Sequence, residues 1–140
     1  MSRLQWYSWF EIGNERIDSE HRIFLNLIHS VEDSFNNKAS EKISRAISEL
    51  LKYTDFHFSS EENIMLDYSY PEYSNHKKLH DTLLAELGKY AVSVKNGDVS
   101  IEMMISFLYN WFASHTINED LKLSAHIKLV QLREFQQTKV

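Results

Sequence analysis

The sequence contains no cysteine, one proline and three glycines among its 140 residues. Average usage of about 7% glycine and 5% proline would place roughly 17 of these two residues in such a chain. So few turn-forming residues exclude a sandwich or barrel of many short strands, and they favour long helices joined by few loops. The absence of cysteine excludes disulfides, thiolate metal sites and cysteine nucleophiles.

Two further shortages limit the partners of the chain. Lys and Arg number 15 against 20 Asp and Glu, and because a nucleic-acid groove needs a basic stripe, we expect no nucleic-acid partner. No run of about 18 apolar residues occurs, so we expect no membrane span. Residues 1–10 lack the charged segment followed by an apolar one that marks a secretory signal, and we therefore expect a cytoplasmic location.

The apolar periodicity predicts an all-α fold with an irregular, aromatic-rich N-terminal segment over residues 1–17. The predicted helices are about 18–37 with Asp18 as N-cap, 40–66, a third from a Ser69–Glu72 capping box to the Asn96-Gly97 stop signal, about 99–119, and a short tail at 121–135. Short loops favour antiparallel neighbours. The predicted architecture is an up-down-up-down antiparallel four-helix bundle, one domain over 1–140 with its core at about 18–120.

What the sequence has in excess is histidine, with seven residues. Five histidines and one glutamate interrupt the apolar stripes of the predicted helices: His21, His57, Glu61, His76, His80 and His115. His57 and Glu61 are four residues apart, as are His76 and His80, so each pair projects from one helix face. Because burying such groups without partners costs several kcal/mol each, they must satisfy one another or share a cation.

The ligand types narrow the choice of metal. Imidazole suits Zn, Cu, Fe and Ni, and since a tetrahedral ion needs only four ligands, five histidines and a carboxylate favour two ions. Residues 76–80, HKKLH, have the spacing of a zinc-protease HExxH sequence but lack its glutamate. A ferritin-like di-iron site would need Glu-x-x-His, which does not occur in this sequence.

Three segments carry a resemblance to a known family. Residues 57–65 read HFSSEENIM and are followed by Tyr70-Pro71, His76 and His80; residues 13–21 read GNERIDSEH; residues 111–115 read WFASH and are followed by Asp120. Together, over about residues 6–123, they resemble the bacterial hemerythrins. Myohemerythrin, a related protein, is an up-down four-helix bundle.

The resemblance implies a non-haem di-iron centre that binds O2 reversibly. By position, His76, His80 and His115 would hold one iron, and His21 and His57 would hold the other. Glu61 and Asp120 would bridge the two ions, together with an oxo or hydroxo group. The second iron would have fewer ligands and would take O2 in a pocket lined by Trp111, Phe112 and Thr116.

Several positions need structural support. Asp120 follows His115 by five residues, about 140° around an ideal helix, so both reach one site only if the helix ends there or widens into a π turn.

Phe112 and Thr116 stand where the family commonly has aliphatic residues, and Leu123 replaces a frequent aromatic residue. A larger Phe112 would narrow the pocket, and the Thr116 hydroxyl would admit water or bond to the bound ligand. The alternative is neutral drift, with a repacked pocket and no change in function. We expect Glu62 to be solvated or to support a ligand, and His29 and His126 to be solvated without a role.

Function follows from the same resemblance. The leading expectation is a non-enzymatic protein that carries, stores or delivers O2. A domain that senses O2, nitric oxide or redox state for a protein partner is the second class, although the sequence ends at Val140 without an appended signalling module. A weak peroxidase or nitric oxide reductase, or an iron store, would use the same centre; no acid–base group beyond the metal ligands favours an enzyme.

Overall fold

The computed structural model describes residues 3–138, apart from the side chain of Ser40. Its four long helices are α1 (Glu15–Asn36), α2 (Ser40–Asp67), α3 (Tyr73–Lys95) and α4 (Ile101–His115). Loops of three to five residues join them, so consecutive helices run antiparallel. No strand occurs among the described residues, and the expected all-α up-down-up-down four-helix bundle is confirmed.

The start of α1 differs from the sequence prediction. Asn14 is the N-cap, and its side chain accepts a hydrogen bond from the backbone N–H of Ile17 at 3.0 Å. Asp18, the predicted N-cap, lies inside the helix instead. Its carboxylate accepts hydrogen bonds from the backbone N–H groups of Ile12 and Gly13 at 2.9 and 3.2 Å. Asp18 therefore ties the N-terminal segment to α1 rather than beginning the helix.

The capping box predicted at Ser69–Glu72 is also wrong. Ser69 has a φ of 50°, in the left-handed region, and the N–H of Tyr70 donates to the carbonyl of Met65 at 2.9 Å. This is the pattern that closes a helix C-terminus, so Ser69 ends α2. Glu72 precedes α3 without a side-chain cap. The other end of α3 stops where predicted, with Gly97 at a φ of 77°.

The fourth helix does not end before the tail. It passes through a π turn, Thr116–Asp120, directly into α5, Leu121–Thr138. His115 and Leu121, on either side of the turn, keep helical φ values of −65° and −63°. The regular part of α4 is thus shorter than the predicted 99–119, and the tail is longer than the predicted 121–135.

The N-terminal segment is irregular, as predicted, apart from a single 3₁₀ turn at Ser8–Phe10. The ring of Phe10 is buried, and its centroid lies 5.3 Å from that of Phe112. Gly13 has a φ of 88°, in the left-handed region that side chains rarely adopt. A larger residue at this position would therefore strain the backbone where the segment reaches α1.

The apolar core is divided into two clusters with a polar layer between them. The larger cluster is built around Phe24, Ile28, Leu50, Leu83, Leu87, Met104 and Leu108. The smaller cluster contains Ile12, Ile17, Ile64, Met65, Tyr70, Leu123 and Ile127. Along α1, His21 lies between Ile17 of the smaller cluster and Phe24 of the larger one, so apolar packing closes the polar layer from both ends. Within residues 3–138, no helix is both long and apolar enough to cross a membrane.

Candidate metal centre

Five histidines and two carboxylates meet in the polar layer. All seven side chains are buried, with relative exposures between 0% and 6%. Each of α1 to α4 contributes at least one of them, and the π turn supplies Asp120. They form two overlapping groups of candidate metal ligands, with the ligand atoms of each group within 4.8 Å of one another. The sequence therefore identified a set of residues that the fold brings together.

The larger group joins three histidines to one oxygen of each carboxylate. Glu61 Oε1 lies 2.7 Å from His76 Nε2 and 3.2 Å from His80 Nε2. Asp120 Oδ1 lies 3.1 Å from His76 Nε2 and 3.0 Å from His115 Nε2. The Nε2 atoms of His76 and His115 are themselves 3.1 Å apart. We call this group the three-histidine side.

The second oxygen of each carboxylate faces the remaining histidines. Glu61 Oε2 lies 3.4 Å from His57 Nε2 and 3.8 Å from His21 Nε2, and Asp120 Oδ2 lies 3.0 Å from His21 Nε2. The rings of His21 and His57 meet at 71°, with their centroids 4.9 Å apart. This two-histidine side has one imidazole fewer, and both carboxylates span the two sides.

Asp120 reaches this layer because the helix widens before it. In a regular α-helix its side chain would point about 140° away from that of His115. A π turn is wider, with hydrogen bonds to the fifth residue along the chain, so a residue five positions later lies much closer to the same face. The π turn at Thr116–Asp120 confirms the widening that the spacing of His115 and Asp120 required.

Several buried atoms of the cluster lack a hydrogen-bond partner. Within the described part of the chain, neither oxygen of Glu61 or Asp120 accepts a hydrogen bond, and His80 Nε2, His21 Nδ1 and His76 Nδ1 are also unpaired. Without protons or cations between them, these short contacts would set lone pairs against lone pairs, which is costly in a buried site. Cations between them would remove that cost, and imidazoles with carboxylates suit first-row transition metals. The residues therefore fit a two-metal site.

Glu20 orients His57, a contact that the sequence interpretation missed. Its Oε1 accepts a hydrogen bond from His57 Nδ1–H at 2.8 Å. Its Oε2 accepts one from the Ser60 hydroxyl at 2.9 Å and lies 3.4 Å from Arg16 Nε. Because the proton is on Nδ1, His57 Nε2 presents its lone pair to the centre, as in metal sites where a carboxylate holds the ligand histidine.

Glu62 provides the equivalent support for His80. Its Oε2 accepts a hydrogen bond from His80 Nδ1–H at 2.8 Å, and its Oε1 lies 3.5 Å from Lys77 Nζ. Glu62 is partly exposed and does not join the two groups of candidate ligands. Its position agrees with the expected supporting role.

The charges of the centre shift the pKa values of its members. Burial lowers the pKa of His21, but the carboxylates of Asp120 and Glu61 raise it to about 10, and the same two carboxylates raise the pKa of His76 to about 10. Burial raises the pKa of Glu61, yet the four nearest imidazoles hold it well below its ordinary value. The Asp120 pKa is also lowered, because His115 and His21 outweigh burial and the neighbouring Glu61. The centre therefore holds two carboxylates that require positive charge, from metal ions or from imidazole protons.

Aromatic rings enclose the imidazoles. Phe58 lies flat on His80, with centroids 3.8 Å apart and planes at 3°. Phe112 meets His21 edge-on at 5.7 Å. Of the three residues predicted to line an O2 pocket, Phe112 thus faces the two-histidine side, whereas Trp111 stacks on His115 of the three-histidine side. Thr116 is buried as the first residue of the π turn.

The two histidines outside the centre, predicted to be solvated without a role, are only partly exposed and each makes a hydrogen bond to the backbone. His29 Nε2–H donates to the carbonyl of Leu4 at 2.6 Å, and His126 Nε2–H donates to the carbonyl of Tyr68 at 2.8 Å. Both are partly buried. Each of them ties a loop or terminal segment to a helix.

Comparison with known families agrees with this arrangement. The family model described as the hemerythrin HHE cation binding domain matches residues 12–127. The chain belongs to the hemerythrin family. A bacteriohemerythrin of Pseudomonas aeruginosa (strain UCBPP-PA14) is 29% identical over 120 residues, which cover 86% of this chain and 78% of that protein. A bacteriohemerythrin of Clostridium acetobutylicum is 28% identical over 121 residues, covering 82% of this chain and 94% of that protein.

The fold is that of hemerythrin as well. A crystal structure of wild-type hemerythrin matches with a TM-score of 0.81 at 20% identity, over 89% of this chain and 97% of that one. The hemerythrin family match, residues 12–127, contains all seven buried candidate ligands. It also contains the two supporting carboxylates, Glu20 and Glu62.

Proposed function

We propose that this chain binds dioxygen reversibly at a non-haem di-iron centre and serves to carry, store or deliver it. The observation that supports this most directly is the asymmetry of the buried donor set. Three histidines lie on one side and two on the other, while Glu61 and Asp120 contact both. One ion would be surrounded by protein ligands, and its neighbour would keep room for a small ligand.

In this proposal each side holds one iron. His76, His80 and His115 would bind the first, His21 and His57 would bind the second, and Glu61 and Asp120 would bridge them. When bound, the iron pair would supply the two electrons that O2 takes up on binding and returns on release. Five neutral imidazoles and two carboxylates carry little negative charge, and such a histidine-rich set favours binding over oxidation of a substrate.

The surrounding residues would keep the open position dry. Phe24 and Phe112 are buried beside the two-histidine side, with Phe112 against His21 and Phe24 against His57. An apolar surround retards entry of water and loss of reduced oxygen species. Trp111, Phe112 and Thr116 are proposed to line the pocket, with Phe112 nearest to His21.

Other roles use the same centre. The bacteriohemerythrin names of the relatives support O2 binding rather than catalysis, and no separate observation favours a sensor, a peroxidase, a nitric oxide reductase or an iron store. Turnover assays with peroxide and with nitric oxide would identify an enzyme, and iron stoichiometry would identify a store. The domain limits of 1–140 and a cytoplasmic location stay predictions.

The test is metal content together with reversible spectra. The purified chain should contain two iron ions, and exposure of the reduced protein to air should produce a visible charge-transfer band that disappears on deoxygenation. The zinc-loaded chain is the control and should show no band. A single zinc ion in the isolated protein, or a band that does not reverse, would contradict O2 carriage.

A further inference from the structure

Trp111 connects the centre to solvent through a direct stack on one of its histidines, beside looser contacts with the buried rings of Phe58 and Phe24. Its indole lies nearly parallel to the imidazole of His115, with centroids 4.4 Å apart and planes at 14°. Trp111 is only partly buried, whereas His115 is buried. From His115 the ring contacts continue to His76 at 4.8 Å and His80 at 5.2 Å. A stacked pair of rings therefore leads from the surface to the three-histidine side.

Other aromatic neighbours of the centre do not offer such a connection. Among the described residues, the remaining non-histidine rings in contact with the five histidines are buried: Phe24, Phe58, Tyr70 and Phe112. From His57 an aromatic route to solvent needs two steps, through Phe24 at 6.2 Å to Trp111 at 6.3 Å. From His21 it needs three, through Phe112 at 5.7 Å, Phe10 at 5.3 Å and the exposed Trp9 at 6.2 Å. Because electron transfer slows exponentially with distance, the single Trp111 contact is the shorter route.

We propose that Trp111 is the point at which electrons enter the centre. A one-electron donor of the reduced flavin class meets the partly exposed indole. Its electron passes through the Trp111–His115 stack to the ferric ion on the three-histidine side. The inference rests on the proposed function, because it requires the iron pair.

The electron count is simple. In each transfer the donor loses one electron and one ferric ion becomes ferrous, so two transfers return an oxidised centre to the state that binds O2. Trp111 serves as a bridge and is unchanged, and no bond of the protein forms or breaks. Such re-reduction is needed by any O2 carrier that loses electrons to its ligand.

The test compares Trp111→Leu with Trp9→Leu. Trp9 is a matched control because it is 61% exposed and stacks on Tyr7 rather than on a histidine of the centre. The iron-loaded proteins are oxidised, mixed with reduced methyl viologen without air, and followed by stopped-flow absorbance. We expect several-fold slower reduction in Trp111→Leu, an intermediate rate in Trp111→Phe, and the wild-type rate in Trp9→Leu.

Two measurements on the same samples separate the possible failures. Reduction potentials are determined in parallel, and a slower rate that a changed potential fully explains would overturn the inference, as would equal rates in Trp111→Leu and wild type. Iron content and the reversible O2 band are also recorded. If wild type lacks them, the proposed function fails as well; if wild type has them and the rates are equal, only the Trp111 inference fails.

Indole fluorescence gives a readout that needs no turnover. Ferric iron bound to His115 should quench the emission of the stacked Trp111, while redox-inert zinc should not. The iron-dependent quenching should persist in Trp9→Leu and largely disappear in Trp111→Phe. Quenching that is the same in both variants would show that Trp111 is not electronically coupled to the centre.

Discussion

The two sides of the buried centre share Glu61 and Asp120 but are built differently. On the three-histidine side, His76 and His80 come from one helix at a spacing of four residues, so α3 alone fixes their relative position. On the two-histidine side, His21 and His57 come from α1 and α2, and their approach depends on how those helices pack. One side is organised locally and has more ligands, while the other depends on tertiary packing and has fewer.

The supporting carboxylates follow the same division. Glu20, on the two-histidine side, is buried and bonds to His57 and Ser60. Glu62, on the three-histidine side, is partly exposed beside the surface residue Lys77. The side with fewer ligands therefore has the more enclosed support. We infer that the geometry of the two-histidine side depends on Glu20. On the three-histidine side, α3 itself fixes much of the geometry.

Removing one histidine from each side should show the largest difference between the two sides. His57→Ala leaves a single imidazole on its side, so we expect that side to lose its ion while the other is retained, with no reversible O2 band. His80→Ala leaves His76, His115 and both carboxylates, enough for four ligands, so we expect binding of two ions with lower affinity. Metal analysis and air-dependent spectra would measure both effects.

Circular dichroism of the metal-free variants is the control for folding. Both are expected to stay helical, since the two apolar clusters remain intact. If His57→Ala retained two irons and a reversible band, or if His80→Ala lost all metal while still folded, the distinction between the two sides would be wrong.

A smaller effect should distinguish Glu20 from Glu62. Loss of a carboxylate that holds a ligand histidine typically lowers metal affinity by about 10- to 100-fold, and we expect Glu20→Gln to fall in this range. Glu62→Gln should cost less, because Glu62 is partly solvated and His80 is also positioned by its helix. Competition with a chelator during metal titration would give both affinities. Equal losses, or a larger loss for Glu62→Gln, would contradict the difference in support.

Much of this arrangement could be predicted from periodicity. Helix faces repeat every three to four residues, so polar residues on the apolar stripes are directed inward before any tertiary contact is known. All five histidines and Glu61 were identified in this way. The five-residue spacing of His115 and Asp120 required a π turn or a helix end, and the structure contains the π turn.

Contacts between helices were harder to predict. Glu20 and His57 are 37 positions apart, and their hydrogen bond depends on the packing of α1 against α2. A local signal was present, since Glu20 follows Ile17 by three residues and precedes Phe24 by four, which places it on the same stripe. His21, the next residue on that stripe, was the more obvious candidate for a metal ligand.

Helix ends were mispredicted for a different reason. Short polar side chains hydrogen-bond to nearby backbone groups in helix caps and in turns, so the same residue types occur where helices begin and where they end. Asp18 and Asn14 both suit an N-cap, and the chain uses Asn14 because Asp18 bonds to the backbone of residues 12 and 13. Ser69 suits a cap as well, but its left-handed backbone ends α2 instead. Such competition is decided by the path of the chain on either side.

The smallest expected effect concerns the polarity of the two-histidine side. Thr116 is buried and follows Phe112 by four residues, and Phe112 faces His21. A hydroxyl near an otherwise apolar pocket favours entry of water, so we expect Thr116→Ile to lengthen the half-life of the oxygenated form several-fold against autoxidation. Thr116→Val, which removes the hydroxyl at nearly constant size, is the matched control and should account for most of the gain. An unchanged or shorter half-life in both variants would show that the Thr116 hydroxyl does not promote entry of water into the pocket. The smaller number of ligands on the two-histidine side would then be enough to explain the rate of autoxidation.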